Sequence, residues 1–157
     1  MAGTIEGIFH PVVGVRDMAE SVRFWRDALG LRVSFDDYHD PAAIADLFGY
    51  ANPSVHSVVV SCPDGSEIEL VEFEQPRGAD SPRKAGDVGY FSLNFRVTDI
   101  DAVVSRVTGE GFALTSNGIV GQVLPDGGVI RVAVIRGSDD VIVILVQLPE
   151  GRASLAA

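Results

Sequence analysis

The sequence predicts an α+β fold of two tandem βαβββ modules that together form a curved, eight-stranded, cup-like sheet. Three observations predict it. Strand-like apolar runs fall into two sets of four, an amphipathic helix follows the first strand of each set, and the two sets superpose on one another.

The strands are expected over residues 8–15, 31–36, 55–62 and 66–73, then 89–97, 112–117, 129–135 and 141–148, where β-branched residues alternate or run continuously. The first helix is expected to start at Asp17, with Glu20 completing a capping box, and to stop at Gly30. Met18, Val22, Trp25 and Leu29 form its buried stripe. The second starts at Asp99, carries Ile100, Val103, Val104 and Val107, and ends at Gly109 and Gly111. An offset of 82 residues brings Asp17, Val15 and Met18 onto Asp99, Val97 and Ile100. An offset of 75 brings Asp64, Glu69 and Leu70 onto Asp139, Ile144 and Leu145.

These matches place a first module at residues 5–75, a linker at 76–88, a second module at 89–149 and a tail at 150–157. The Pro-, Gly- and charge-rich stretch around residues 75–89 is the joint. One piece lies outside the repeat. "DPAAIADLFG" at 40–49 has Asp40 as N-cap and Pro41 in its first turn, and reads as a short helix that either closes over a pocket or plugs one end of the sheet.

At 157 residues the chain suits one globular unit or two half-sized modules. Hydrophobic residues make up 46% and charged residues 22%, and no apolar run approaches the roughly 20 residues that a membrane span needs. The start, "MAGTIEGIFHP", lacks the basic residues and apolar core of an export signal, so a cytoplasmic location is expected. The net charge of −10, with no basic cluster longer than "PRK" at 82–84, argues against nucleic acid as a partner. The single cysteine, Cys62, reads as a buried small side chain.

Strand alternation then sorts the polar residues. His10, Val12 and Gly14 share one face of the first strand, and Glu67, Glu69, Val71 and Phe73 share one face of the last strand of the first module. Because Ile68 and Leu70 must meet the helix, His10 and Glu69 are left together on the concave side. In the second module Tyr90, Ser92, Asn94 and Arg96 take the face opposite Phe91, Leu93 and Phe95. The repeat poses a question here: "IELVEF" carries Glu69 where "VILVQL" carries Ile144. His39 and His56 fall in or beside loop segments and are read as surface or edge histidines.

The runs "FHPVVGVRDMAESVRFWRDALG", "PDGSEIELVEF", "FRVTDIDAVVSRVTGEG" and "VILVQLP" resemble the vicinal oxygen chelate superfamily, which includes glyoxalase I, methylmalonyl-CoA epimerase, extradiol dioxygenases and bleomycin-resistance proteins. The resemblance spans residues 6–149. In metal-using members the first strand begins with a metal-binding His seven residues before the helix-capping Asp, and the last strand supplies a Glu. His10 and Glu69 match both places, whereas the second-module places hold Ser92 and Ile144. The resemblance therefore implies either no cofactor or a weakly held divalent metal (Zn, Fe, Ni or Mn) on the incomplete set His10 and Glu69.

It also implies a small-molecule ligand and a homodimer. The expected pocket has His10 and Glu69 as acid/base residues, with Ser92, Asn94, Tyr90 and Ile144 against the ligand and Phe73 and Phe48 as apolar wall. Two function classes remain open. One is a metal-poor or metal-independent isomerase or lyase acting on an oxygenated organic substrate through His10 and Glu69. The other is a non-catalytic protein that sequesters an antibiotic, as the bleomycin-resistance branch does. A dioxygenase or epimerase with a non-standard metal-ligand set is the third reading.

Overall fold

Asp17 and Asp99 start the two main helices as their capping patterns predict. In the computed structural model, Asp17 Oδ1 accepts from Glu20 N and Asp99 Oδ1 from Ala102 N, both at 3.0 Å. The Glu20 carboxylate is itself engaged by Arg23, with Nη2 to Oε1 at 2.8 Å. The structure describes residues 3–80 and 84–154; the linker expected at 76–88, the "PRK" run and the tail expected at 150–157 thus lie partly outside the described residues. Among the described residues no helix is long and apolar enough to cross a membrane.

The elements run β1 (Val12–Val15), α1 (Met18–Val22), β2 (Arg32–Tyr38), α2 (Pro41–Phe48), β3 (Ser54–Ser61), β4 (Glu67–Gln75), β5 (Ser92–Arg96), α3 (Ile100–Gly109), β6 (Ala113–Leu114), β7 (Val120–Val123), β8 (Val129–Arg136) and β9 (Ile142–Gln147). The fold class is the α+β tandem repeat that the sequence predicts. Strand order is β1-β4-β3-β2 in one sheet and β5-β9-β8-β6 in the other, where β7 also pairs with β8. Only β1–β4 and β5–β9 are parallel pairs.

Three local features differ from the expectation. The helix begun by α1 widens into a π-helical turn over Arg23–Ala28 before Gly30, at φ +80°, ends it. The first strand begins at Val12 and not at residue 8. Pro11 has no N–H to give a ladder, though its carbonyl still accepts from Glu69 N at 3.0 Å. The strand expected at 112–117 is only the two-residue β6, and a turn at Ser116–Gly118 then feeds the unforeseen β7. Among the described residues the strands therefore number nine, four in one sheet and five in the other.

By its contacts the chain divides into two units, Met1–Arg26 with Gly30–Ala79, and Asp27–Leu29 with Asp80–Ala157. In the first, Phe24 and Trp25 are fully buried with Val58, Val60, Ile68 and Leu70 on the helix side of the sheet. Truncating either aromatic to alanine costs about 3–5 kcal/mol. In the second, Ile100 and Val107 of α3 are buried, as are Val143 and Leu145 of β9.

The repeat extends to strand register. Val12 pairs with Glu69 as Asn94 pairs with Ile144, and Val59 pairs with Glu69 as Val134 pairs with Ile144. It extends also to one polar device. Glu72, at the end of β4, accepts from Met18 N through Oε2 at 2.9 Å, and Gln147, 75 residues later, accepts from Ile100 N through Oε1 at 2.9 Å. Each last strand thus satisfies a free N–H at the start of its module's helix. Glu72 is buried, so its loss leaves a donor without a partner. Glu72→Ala is expected to cost about 1–3 kcal/mol in chemical denaturation, whereas Glu72→Gln, which copies the second module, should cost clearly less. Equal losses in the two variants would show that the helix-end bond contributes nothing.

Candidate functional site

Strand parity on β4 sends Ile68, Leu70 and Glu72 toward the helix and leaves Glu69, Val71 and Phe73 on the opposite, open face. On β3 the same face carries Val55, Ser57 and Val59, as their pairing with Phe73, Val71 and Glu69 fixes. Val12, Glu69, Val59 and Phe35 form one row across the sheet through successive pairings. Val12 and Phe35 are about half exposed there, at 55% and 48%, so apolar surface flanks the carboxylate.

Three side chains converge on Glu69 in this row. His10 Nε2 lies 3.2 Å from Glu69 Oε2 and His39 Nε2 lies 3.0 Å from Oε1. The fully buried Ser57 donates its Oγ–H to the same Oε1 at 2.6 Å. Burial alone would push the Glu69 carboxyl up. The hydrogen bonds from Ser57 and His39, together with the charges of His39 and His10, outweigh it and hold Glu69 below the usual carboxylate value of 4.5. Glu69 is thus an ionised acceptor with three donors gathered around it.

The structure brings His10 and Glu69 together, and it adds two residues that sequence reasoning did not place. His39 follows the edge strand β2 and stays partly exposed, as expected, but its ring also reaches Glu69. Its position follows from the end of β2: His39 N donates to Val55 O at 3.0 Å, and Asp40 then caps α2 through Ala42 N at 3.2 Å. Ser57 carried a usable signal, being the one hydroxyl between Val55 and Val59 on the face that also holds Glu69. His56, expected at a surface or edge, lies instead within the inner strand β3, paired with Tyr38 and Glu72, its Nε2 2.7 Å from Asp36 Oδ1 and its ring stacked on Tyr38 at 4.7 Å.

Phe73 and Phe48 meet edge to face at 6.1 Å, and α2 anchors on the open face through Ile44 against Val55 and Val71. In the second unit, Ser92 and Asn94 share a face of β5, where Ser92 Oγ donates to Asn94 Oδ1 at 3.3 Å and Asn94 pairs with Ile144. Tyr90 lies in the turn before β5, its N–H on Asp87 O. A cavity of about 450 Å³ opens at the start of α1, lined by Arg16, Asp17, Met18, Ala19, His56, Glu72 and Arg77, and none of the expected site residues lines it.

The sequence profile of the Glyoxalase/Bleomycin resistance protein/Dioxygenase superfamily matches residues 9–130. The chain belongs to this superfamily. Solved superfamily-type structures share its fold. A glyoxalase family protein from Bacillus cereus is 23% identical over 93% of this chain and 96% of its own, with a TM-score of 0.81. A glyoxylase/bleomycin resistance protein/dioxygenase domain from Frankia sp. EAN1pec is 24% identical over 95% and 96%, with a TM-score of 0.66. A genomically encoded fosfomycin resistance protein from Listeria monocytogenes, complexed with Mn(II) and sulfate, is 13% identical over 94% and 96%, with a TM-score of 0.60. No curated protein sequence matches the chain significantly.

The ligand set expected from the strand positions is incomplete, since the positions equivalent to His10 and Glu69 are Ser92 and Ile144, a neutral hydroxyl and a hydrocarbon. His39 brings a third N or O group to His10 and Glu69, the least that tight divalent binding needs, so the arrangement of the three decides. Among the described residues no group of three His, Cys, Asp or Glu is arranged to hold a metal ion. The two imidazoles instead sit on different oxygens of one carboxylate.

Ser57 makes the largest single contribution that holds the carboxyl down. Ser57→Ala should therefore raise the Glu69 value, read by carbon-detected NMR titration, and cost about 1.5–3 kcal/mol of stability. The sign follows from linkage: a depressed carboxyl stabilises the fold above its ordinary value, and that stabilisation is lost as pH falls through the folded value. The acid limb of the stability profile should move to higher pH in Ser57→Ala, and an unmoved limb would remove the hydroxyl from this account.

Proposed function

We propose that this superfamily member binds a small oxygenated organic molecule on the open face of its first module and moves a proton on it without a metal, as an isomerase or lyase does. The observation that carries the reading is the Glu69 carboxylate, kept ionised in a half-buried apolar row by Ser57, His10 and His39. An ionised carboxylate hydrogen-bonded to imidazole is the arrangement of a general base. In the proposed step a proton leaves a carbon next to a carbonyl for the centre, exchanges there with solvent, and a proton returns to the same or the neighbouring carbon or oxygen, so no electron acceptor is required. The acid/base centre of this reading is Glu69 with the imidazoles hydrogen-bonded to it, of which the sequence placed His10, and Phe73 and Phe48 form the apolar wall. Ser92, Asn94, Tyr90 and Ile144 belong to the second unit and are given no role in it.

The half-exposed Val12 and Phe35 favour a second reading, a protein that sequesters an apolar natural product on the same face. Turnover separates the two. Proton–deuterium exchange into a panel of enolisable carbonyl compounds in D2O, followed by NMR, should run for many cycles per molecule of protein. Glu69→Gln should lower it by about 10²–10⁴-fold. Prior dialysis against a chelator should leave the rate unchanged. Stoichiometric ligand retention without exchange would replace the enzymatic reading with sequestration. Dimerisation of the full chain and a cytoplasmic setting complete the proposal, the former open to sedimentation analysis.

A further inference from the structure

We propose that His39, and not His10, is the group that exchanges the proton with the substrate, acting through Nδ1 with its tautomer set by Glu69. The inference deepens the proton-transfer reading above and rests on it. Three observations support it, the first being which atoms are already engaged. Glu69 is ionised and only accepts, so the ring nitrogen 3.0 Å from its Oε1 must carry the hydrogen. In the neutral ring that nitrogen is Nε2, which leaves Nδ1 bare and basic.

The second observation is access. The His39 side chain is 39% exposed and that of His10 is 16%. His10 spends Nε2 on Glu69, its Nδ1 is buried without a hydrogen-bond partner, and Phe9 lies against the ring at 4.3 Å. A substrate on the open face therefore has no route to the second nitrogen of His10, which acts as a positioning residue that holds Oε2. The third is rigidity. His39 is pinned on one side by its N–H on Val55 O and on the other by α2, capped at Asp40 and seated through Ile44 on Val55 and Val71. A backbone held on both sides, with Nε2 fixed on Glu69, keeps the ring in one place.

In the step itself, the Nδ1 lone pair of His39 takes the proton from the substrate carbon, and the C–H pair moves into an enolate. The imidazolium, stabilised by Glu69 through Nε2–H, exchanges its proton with water at the exposed ring and gives one back to the same or the adjacent carbon or oxygen as the enolate pair returns. One proton is taken and one is given, and the electrons stay within one substrate.

The experiment begins with the protein alone. Long-range ¹⁵N–¹H correlations of the uniformly labelled full chain at mildly alkaline pH should show His39 with a protonated Nε2 and a bare Nδ1. Diethyl pyrocarbonate, with its sites read by mass spectrometry, should modify His39 ahead of His10. A protonated Nδ1 on His39, or earlier modification of His10, would overturn the assignment. In the exchange assay, His39→Gln should lose about 10²-fold or more of the rate, and free imidazole should restore part of the loss in His39→Gly, which a purely structural role would not allow. Exchange by the wild type that His39→Gln fully keeps sinks the role of His39 and leaves the Glu69 reading standing. No exchange by the wild type, with the Nε2–H tautomer present, sinks the proton-transfer reading instead.

Discussion

The first module depends on the two faces of one strand. β4 must bury Ile68 and Leu70 against Phe24 and Trp25, because those aromatics each carry several kcal/mol of burial and have no other apolar surface of that size to meet. Glu72 pins the choice, since its carboxylate takes the N–H of Met18 at the start of α1. Alternation then leaves Glu69 no position except the open face. The carboxylate is thus placed by the demands of the core behind it, and the chemistry at the open face inherits a geometry that folding has already fixed.

Burial of that kind needs donors, and the repeat shows the dependence by comparison. The pairing of β3 with β4 recurs in β8 with β9 at a constant offset of 75, so Ser57 corresponds to Val132 and Glu69 to Ile144. His10 corresponds to Ser92 at the other offset. A carboxylate at position 144 would find a hydrocarbon where Ser57 stands and a short hydroxyl in the place of an imidazole. An ion left there without donors costs several kcal/mol. The carboxylate and its donors are therefore present together in one module and absent together in the other. This is the physical reason that "IELVEF" and "VILVQL" differ in the middle, while Glu72 and Gln147, which serve the helices, remain equivalent in role.

Much of this was legible in the sequence because it follows from local rules. Asp17 and Asp99 announce their helices through capping, the two offsets translate directly into pairing register, and alternation puts His10 and Glu69 on one face before any coordinates are known. The contact of His39 with Glu69 obeys no local rule. It depends on a bulge in β2 between Val33 and Phe35, on the distance that strand runs before Asp40 turns the chain, and on α2 folding back over the open face. Each is a tertiary outcome with no period to read. The late start of β1 was within reach, since Pro11 cannot donate to a ladder. The shortening of the 112–117 run to β6 and the addition of β7 at Val120–Val123 were not, because neither two-residue β6 nor the all-exposed β7 carries a hydrophobic pattern.

The arrangement around Glu69 also decides what kind of centre it can be. A charge in an apolar row interacts more strongly with its neighbours than the same charge in water, and the same surroundings make each missing partner more costly. Val12 on one side and Val59 and Phe35 on the other supply that environment. Two imidazoles and a hydroxyl on one carboxylate meet its hydrogen-bonding needs with protons on nitrogen and oxygen. Those protons can move. A centre satisfied by N–H and O–H donors is suited to passing protons, and the flanking apolar surface gives a ligand area to bury on either side of the group that would act on it.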